Sequence, residues 1–462
     1  MRAMTFMEKL KFAYFGRSMA AELSKMPFKE RIALKEIQNA RFMKIFQHAC
    51  RTVPFYKRKY RECGVLTNRI RSIEDIKELP VVEKGELSKL GFDDLTSDQF
   101  RDRSKLFMFV TGGTSGEALK VYHSLESVFL SFASYHRAYA DMMGGRYNRS
   151  DVAAYVYTSE YPFRSFFGAY RQAFIWTLDP PEVIRSKLIN VQPQIITSYP
   201  SVLERVTSHL TTSDVKKIAA RLRGICLNSE MSTQIQRDRL EALWGVPVRD
   251  EFCSEEISTI MFHQCSHKRY HVNQDLCFIE SVNDHGGQNH PQEEGDLVVT
   301  GFSNFAMPLI RYNQQDRVVL DSPEERCSCG SQFPMVKSFL GRTNDAFLLP
   351  SGRRLTSGYL LDVGYSILVK HADYILYWTL IQEAKDKIVL ECNFTSLAPR
   401  NLAQRIEADL KPLFYGEVNV EVRINVTPRR SAKGKHKQVV SLLESSSDEL
   451  SSCGFRDATG VG

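Results

Sequence analysis

The chain has 462 residues, about three times the usual span of one domain, so it can bury several cores without cross-links. It is 43% apolar and 25% charged and has no apolar run of about 18 residues, which excludes a protein built on membrane-spanning helices. Sixty-one Lys and Arg against 54 Asp and Glu leave a net charge of +7, too mild a bias for a nucleic-acid footprint, so neither a nucleic-acid partner nor a membrane span is expected.

The first sixty residues read as helices. Arg2, Glu8, Lys9, Lys11 and Arg17 interrupt the N-terminus and deny it the apolar core of a secretory signal, so the expected location is cytoplasmic. In a reducing compartment, ten cysteines are expected as buried thiols or metal ligands rather than disulfides. Arg31 to Val53 sets Ile32, Leu34, Ile37, Phe42, Ile45 and Phe46 at mostly helical spacing, and Pro54 is the expected stop. From Phe107 to about Asp316, β-rich runs alternate with helical stretches. The strands are Phe107–Val110, Asp151–Tyr157, Gln194–Thr197, Gly224–Leu227 and Gly295–Thr300; the helices include Leu203–Leu210 and Gln234–Leu243. That alternation predicts an α/β layered architecture. After Gly341 the pattern changes to a smaller α+β unit, with paired strands Ile375–Ile381 and Lys387–Cys392, a helix Leu402–Leu413 and a last strand Val418–Val426 before a basic loop. The serine-rich tail from Glu444 has little to bury and is expected to be disordered.

Two features carry chemistry. Thr111, Gly112, Gly113, Thr114, Ser115 and Gly116 follow the first of these strands, and Lys120 lies four residues on. Glycines let backbone approach phosphate oxygens, while hydroxyls and a lysine supply donors to a polyanion. The loop lacks the Lys-Ser/Thr ending of a Walker loop, which disfavours a P-loop ATPase. The second feature is a set of metal-ligand types. Cys265 and His271 have five residues between them and Cys327 and Cys329 one, with about 55 residues between the pairs; Gly330 follows the Cys-x-Cys turn. Three thiolates and an imidazole form a closed tetrahedral set suited to structural Zn²⁺. His263, His267 and Cys277 are rivals by proximity.

The order of further segments resembles the phenylacetate-CoA ligase and CapK-like branch of the adenylate-forming superfamily along almost the whole chain. The N-terminal signature is Val53-Pro54-Phe55-Tyr56 with Gly64, then Ser72-Ile73-Glu74-Asp75-Ile76 and Leu79-Pro80-Val81-Val82-Glu83-Lys84. Thr111 to Lys120 resembles the phosphate loop, Ser198-Tyr199-Pro200-Ser201 the buried helix start, and Asp250-Glu251-Phe252-Cys253-Ser254-Glu255-Glu256 the aromatic-Gly-Ser-x-Glu motif. Pro308-Leu309-Ile310-Arg311-Tyr312 with Asp316 and Gly341-Arg342-Thr343-Asn344-Asp345 resemble the ribose and hinge motifs. Three departures stand out: Ala118 where proline is usual, Cys253 where glycine is usual, and Phe252 where tyrosine is common.

The resemblance implies an α/β fold, with a large multi-layer N-terminal domain over residues 1–341 that binds ATP and substrate. A small, mobile α+β C-terminal domain over 342–443 and a disordered tail over 444–462 would follow. It implies an AMP-forming ATP-dependent carboxylate ligase, which makes an acyl-AMP and passes the acyl group to a thiol (coenzyme A or a carrier protein) or an amine. Thr111 to Gly116 would wrap the β- and γ-phosphates, with Lys120 as a further cation. Glu256, in preference to Glu255, would hold Mg²⁺, and Asp316 would accept both ribose hydroxyls. Phe252 would stack on adenine, with Asn228, Ser229 and Glu230 beside the base and Arg342 at the domain handover. Gly434-Lys435 matches the family's Gly-Lys pair, which makes Lys435 the expected catalytic lysine. Tyr135, His136, Tyr157, Phe163, Tyr199, Cys253 and Ser254 are candidates for the acid's pocket and favour an aryl or apolar acid. The alternative reading is a catalytically degenerate, zinc-stabilised nucleotide-binding or assembly protein of the same fold.

Overall fold

The N-terminal residues form two long helices, Phe6–Lys25 and Arg31–Thr52, the first begun by a capping box between Thr5 and Glu8. Val53 is extended ahead of Pro54, as the proline ring requires of the residue before it, so the second helix ends where predicted. Pro54 then starts a third helix, Pro54–Glu62, because proline fits a helix's first position, where no N–H is needed. The computed structural model describes residues 4–111, 119–158, 160, 165, 167–283, 285–342, 346–371, 374–424, 426 and 437–443. The tail expected over 444–462 lies outside them. Among the described residues, no helix is long and apolar enough to cross a membrane.

Strands β1 (Phe107–Val110) and β2 (Lys120–His123) form an antiparallel hairpin. The main sheet has eleven strands. Its parallel half contains β3 (Val152–Tyr157), β4 (Arg171–Trp176), β5 (Ile195–Ser198), β6 (Gly224–Leu227) and β7 (Val248–Phe252), in the order β4-β3-β5-β6-β7. Alternate residues of these strands face two cores. Ala153, Ile195 and Cys226 pack with Ala138, Tyr139 and Met142 of the helix Leu125–Met142. Ala154, Ile196, Ile225 and Leu227 pack against the helices Pro181–Val191, Pro200–Thr207 and Gln234–Trp244. A sheet covered on both faces explains why β5 and β6 are buried at every position.

The other half of the sheet is antiparallel. It comprises β8 (Phe262–Gln264), β9 (Tyr270–Val272), β10 (Cys277–Val282), β11 (Glu294–Gly301), β12 (Tyr312–Leu320) and β13 (Met335–Arg342), in the order β8-β9-β13-β12-β11-β10. The second and third N-terminal helices and the segment 70–87 close its core.

After β13 come a short hairpin, β14 (Phe347–Leu348) with β15 (Arg354–Leu355), and a four-stranded sheet with its own core. That sheet holds β16 (Ile375–Ala384), β17 (Lys387–Phe394), β18 (Asn419–Ile424) and β19 (Val439–Ser441), in the order β18-β17-β16-β19, with helices Ser357–Leu368 and Leu402–Leu410. The pairing of β16 with β17 is the one predicted from sequence. Strand β19 was not predicted. It runs parallel to β16, so the basic loop before it is tied to the sheet at both ends.

Arg311 is a large charged side chain buried in the fold, at 2% exposed. Its Nε donates to Glu280 Oε2 at 3.1 Å, its Nη2 lies 3.0 Å from Glu280 Oε1, and its Nη1 donates to the carbonyl of Leu79. Val82 meanwhile pairs with Tyr312 as an isolated parallel bridge. Two of the sequence signatures, Leu79–Lys84 and Pro308–Tyr312, are therefore two sides of one joint. Arg311→Met should lower the unfolding free energy by about 3–5 kcal/mol in denaturant titration, because it strands a buried carboxylate. The double variant Arg311→Met/Glu280→Leu should recover most of the loss. A single-variant loss under about 1 kcal/mol would contradict this role.

Candidate active site and metal cluster

The loop between β1 and β2 is closed at its neck by Thr111 and Leu119. Thr111 N donates to the Leu119 carbonyl at 3.0 Å, and Thr111 Oγ1 accepts from Leu119 N at 3.0 Å. Gly112, Gly113, Thr114, Ser115, Gly116 and Ala118 lie outside the described residues. Lys120 is exposed at the start of β2. At the base of the hairpin, His123 is fully buried and its Nε2 lies 2.8 Å from the carbonyl of Glu255. Burial holds its pKa down at about 4, so the ring is neutral and its Nε2–H can donate to that carbonyl. The glycine-rich loop is thereby attached to the segment Asp250–Glu256.

That segment reaches two more motifs. Phe252, half-buried, stacks on Phe262 at 4.8 Å and meets Phe339 of β13 at 4.6 Å between ring centroids. Glu256 is 9% exposed and its Oε1 accepts from the Tyr312 hydroxyl at 3.1 Å, whereas Glu255 is exposed. Asp316 is buried in β12 directly opposite Arg342 of β13. Thr343, Asn344 and Asp345 lie outside the described residues. Gly341 has φ +79°, and a Cβ there would come within 2.8 Å of Met231 Sδ and also collide with Ser357, so only glycine fits between the two. This close approach brings the end of β13 against Ser229–Met231. Ser229 itself is left-handed at φ 64° and donates through Oγ to Asn228 Oδ1 at 3.2 Å. Glu230 Oε2 accepts from Ser201 N at 3.1 Å, in the first turn of the predicted helix start. Segments as far as 132 residues apart in sequence thus touch along one edge, at the C-terminal ends of the parallel strands.

The pocket candidates divide into two groups. The Tyr135 hydroxyl lies 3.2 Å from Cys253 Sγ, the Tyr199 hydroxyl 3.2 Å from Thr158 Oγ1, and the Tyr157 and Tyr199 rings meet edge-on at 4.9 Å. Ser254 Oγ accepts from Ile257 N at 3.4 Å. His136 packs instead with Tyr147 and Tyr170, both at 5.4 Å, and Phe163 lies outside the described residues. Behind Tyr135 and Cys253 stand Thr197 and Glu251, to which sequence reasoning gave no role of their own, together with Asn228, which it set beside the base; all three are buried. The available signal was an acidic residue within a short buried β run.

The four metal-ligand candidates come together although they arise from β9, its flanking turn and the loop before β13. One donor atom from each of Cys265, His271, Cys327 and Cys329 lies within 4.8 Å of all the others. Cys265 and Cys327 Sγ are 3.7 Å apart, and Cys329 Sγ lies 3.3 Å from His271 Nε2. A tetrahedron with Zn–S of about 2.3 Å has S···S edges of roughly 3.8 Å, so the donor set fits that ion. His271 Nδ1 faces the Phe333 carbonyl at 3.3 Å, which leaves Nε2 for a metal. The rivals are committed elsewhere: His263 Nε2 faces Asp141 at 3.4 Å, His267 Nδ1 lies 3.2 Å from Ser266 Oγ, and Cys277 is sealed in the core.

No protein-family model matches the chain. Protein CapK of Staphylococcus aureus is 22% identical over 402 residues, covering 84% of both chains. The phenylacetate-coenzyme A ligase of Thermus thermophilus is 24% identical over 339 residues, 71% of this chain and 74% of its own. A 2-hydroxyisobutyryl-CoA ligase solved in the postadenylation state with R3-HIB-AMP superposes with a TM-score of 0.74 at 17% identity, over 90% of this chain and 91% of that one. The chain has homologues among CapK and the phenylacetate-CoA ligases and carries the adenylate-forming fold. Within that fold the arrangement of large and small units is informative, since the same ligase superposes with only 0.58 in an open conformation and 0.60 in the thioesterification state.

A buried contact accompanies this arrangement. The Tyr365 hydroxyl, on the helix Ser357–Leu368, donates to Glu204 Oε2 at 2.9 Å and accepts from Gln236 at 2.7 Å and from Gln438 at 2.8 Å. One phenol thus joins two helices beside the parallel strands to the residue that ends the basic loop.

Proposed function

We propose that this protein is an ATP-dependent ligase that activates a carboxylic acid as its acyl-adenylate and transfers the acyl group to coenzyme A. The observation that carries this reading is the meeting of the hairpin, aromatic, ribose and hinge segments along one edge of a chain that matches CapK over 84% of its length and superposes on a CoA ligase over 90% of it.

The substrate's carboxylate oxygen attacks the α-phosphorus of ATP and the bond to pyrophosphate breaks. The thiol sulfur then attacks the acyl carbon, its proton passes to solvent, and AMP leaves. Neither step requires a covalent bond to the protein, so the protein's task is positioning and charge stabilisation. In this reading Thr111 to Gly116 wrap the β- and γ-phosphates, Lys120 adds positive charge nearby, and Asp316 holds the ribose. Phe252 offers the adenine the ring surface not spent on Phe262 and Phe339. Glu256 is the residue to hold Mg²⁺, which would neutralise phosphate charge. Arg342 sits where the small unit begins, and that unit swings so that Lys435 serves the first half-reaction only. Cys265, His271, Cys327 and Cys329 would hold a structural Zn²⁺.

ATP–pyrophosphate exchange against a panel of aryl, fatty, hydroxy and amino acids tests the reading. Exchange that depends on the acid is expected. ATP binding without exchange for any acid would replace the reading with that of a non-catalytic nucleotide-binding protein, in which the departures at Ala118 and Cys253 have ended turnover. A carrier-protein thiol or an amine in place of coenzyme A would show as transfer to that acceptor from the preformed acyl-AMP.

A further inference from the structure

The order β4-β3-β5-β6-β7 places a topological switch between β3 and β5, where successive connections leave in opposite directions. In such sheets ligands bind beyond the carboxyl ends of the strands at the switch. At that place the side chains are polar and linked. The Tyr157 hydroxyl, at the end of β3, lies 2.9 Å from Thr197 Oγ1 of β5 and donates to Asn228 Oδ1. Asn228, just past β6, donates through Nδ2 to Glu251 Oε1 of β7 at 2.5 Å. Cys253 Sγ lies 3.9 Å from the same carboxylate oxygen and 3.2 Å from the Tyr135 hydroxyl.

Glu251 is 2% exposed, and its Oε2 is buried with no hydrogen-bond partner among the described residues. It shares a sheet face with Arg249, the register partner of Cys226, which the helix Leu125–Met142 covers. Cys253 and, through it, Tyr135 continue this chain of contacts from Glu251, and both are only partly buried. An unpaired oxygen in such a site costs free energy unless a ligand satisfies it. Burial also lifts the Glu251 carboxyl to about 8, with Asp250 adding to the rise. At neutral pH the group is therefore mostly protonated, so Oε2 can give as well as receive a hydrogen bond.

We propose that Glu251 Oε2 is a specificity-determining contact for the acyl part of the substrate, and that the acid carries a hydroxyl or amino group that bonds to it. This rests on the ligase reading and narrows it, replacing the apolar acid expected from the aromatic residues with a polar-substituted one. A site built to hydrogen-bond a substrate group discriminates strongly against the analogue lacking it, because the analogue leaves the buried partner unpaired.

The test uses matched pairs in ATP–pyrophosphate exchange with the full-length protein: phenylacetate against hydroxy- and aminophenylacetates, benzoate against hydroxy- and aminobenzoates. The wild type should favour at least one substituted acid over its parent by tenfold or more in kcat/KM. Glu251→Leu should shrink that ratio at least tenfold, while Glu251→Gln, which keeps a polar end of the same size, should retain more of it. A purely structural Glu251 would lower both members of a pair alike and leave the ratio unmoved, and that result overturns the proposal. A wild type that exchanges with the parent acids but prefers none of the substituted ones overturns it while leaving the ligase reading intact. Absence of exchange with every acid overturns both.

Discussion

Metal analysis of the purified protein should find about one zinc per chain, and the variant with Cys265, His271, Cys327 and Cys329 all changed to alanine should hold none. The reason is geometric. The four donors already lie within 4.8 Å of one another, although 55 residues separate His271 from Cys327. An ion at their centre ties the loop before β13 to the turn between β8 and β9, and both strands border the Phe252 wall through Phe262 and Phe339. Structural zinc contributes an apparent binding free energy of about 10–16 kcal/mol in zinc-finger peptides, and loss of the ion removes the part of that energy coupled to folding. The large core here keeps most of the chain folded, so the expected phenotype is a several-degree drop in unfolding temperature that precedes any specific catalytic defect. Chelator treatment of the wild type should reproduce the drop, and added zinc should reverse it. Full zinc occupancy in the quadruple variant, or a metal-free wild type with unchanged stability, would rule out this ligand set.

The sequence disclosed most of what is local and periodic. Phe107–Val110 and Gly224–Leu227 were bounded to the residue because apolar runs sat between turn signals. The apolar spacing alone set a helix at Leu203–Leu210, whereas it runs from Pro200 to Thr207, with proline at the first helical position as the helix-start resemblance of Ser198–Ser201 implied. Strands β8, β9 and β19 were missed because three residues are too few to show a period of two, and their existence depends on distant partners. The same limit applies to the site. The metal-ligand set was legible because cysteine and histidine spacing carries its own chemistry. Glu251 was not legible: only the fold reveals that a carboxylate in β7 meets Asn228 and leaves one oxygen unpartnered. Arg311, read as part of a ribose motif, is used in the fold to join Glu280 to Leu79.

Lys435→Ala should lower acyl-AMP formation by at least about a hundredfold, the scale of roughly 2.7 kcal/mol attached to one preorganised charge-stabilising group. Lys433, Gly434, Lys435 and His436 lie outside the described residues, but the ends of their loop do not. Residues 419–424 pair with β17, Val439–Ser441 pair with β16, the Lys437 carbonyl accepts from Thr379 at 3.2 Å, and Gln438 donates to Tyr365 at 2.8 Å. A loop fixed at both ends to one small sheet is tied to that sheet, so under the proposed mechanism a lysine in it would reach the α-phosphate only when the whole unit is placed for adenylation. Two consequences separate this role from that of a solvated basic run. Transfer from a synthetic acyl-AMP to the thiol should survive in Lys435→Ala, because in the proposed mechanism the lysine would serve only the earlier step. Lys433→Ala and Lys437→Ala should each change adenylation by no more than a few-fold, since a general positive field would be spread over all three. Equal and mild losses at the three positions would mean that the run is surface charge. A much larger loss at Lys433 than at Lys435 would move the catalytic position by two residues and keep the mechanism.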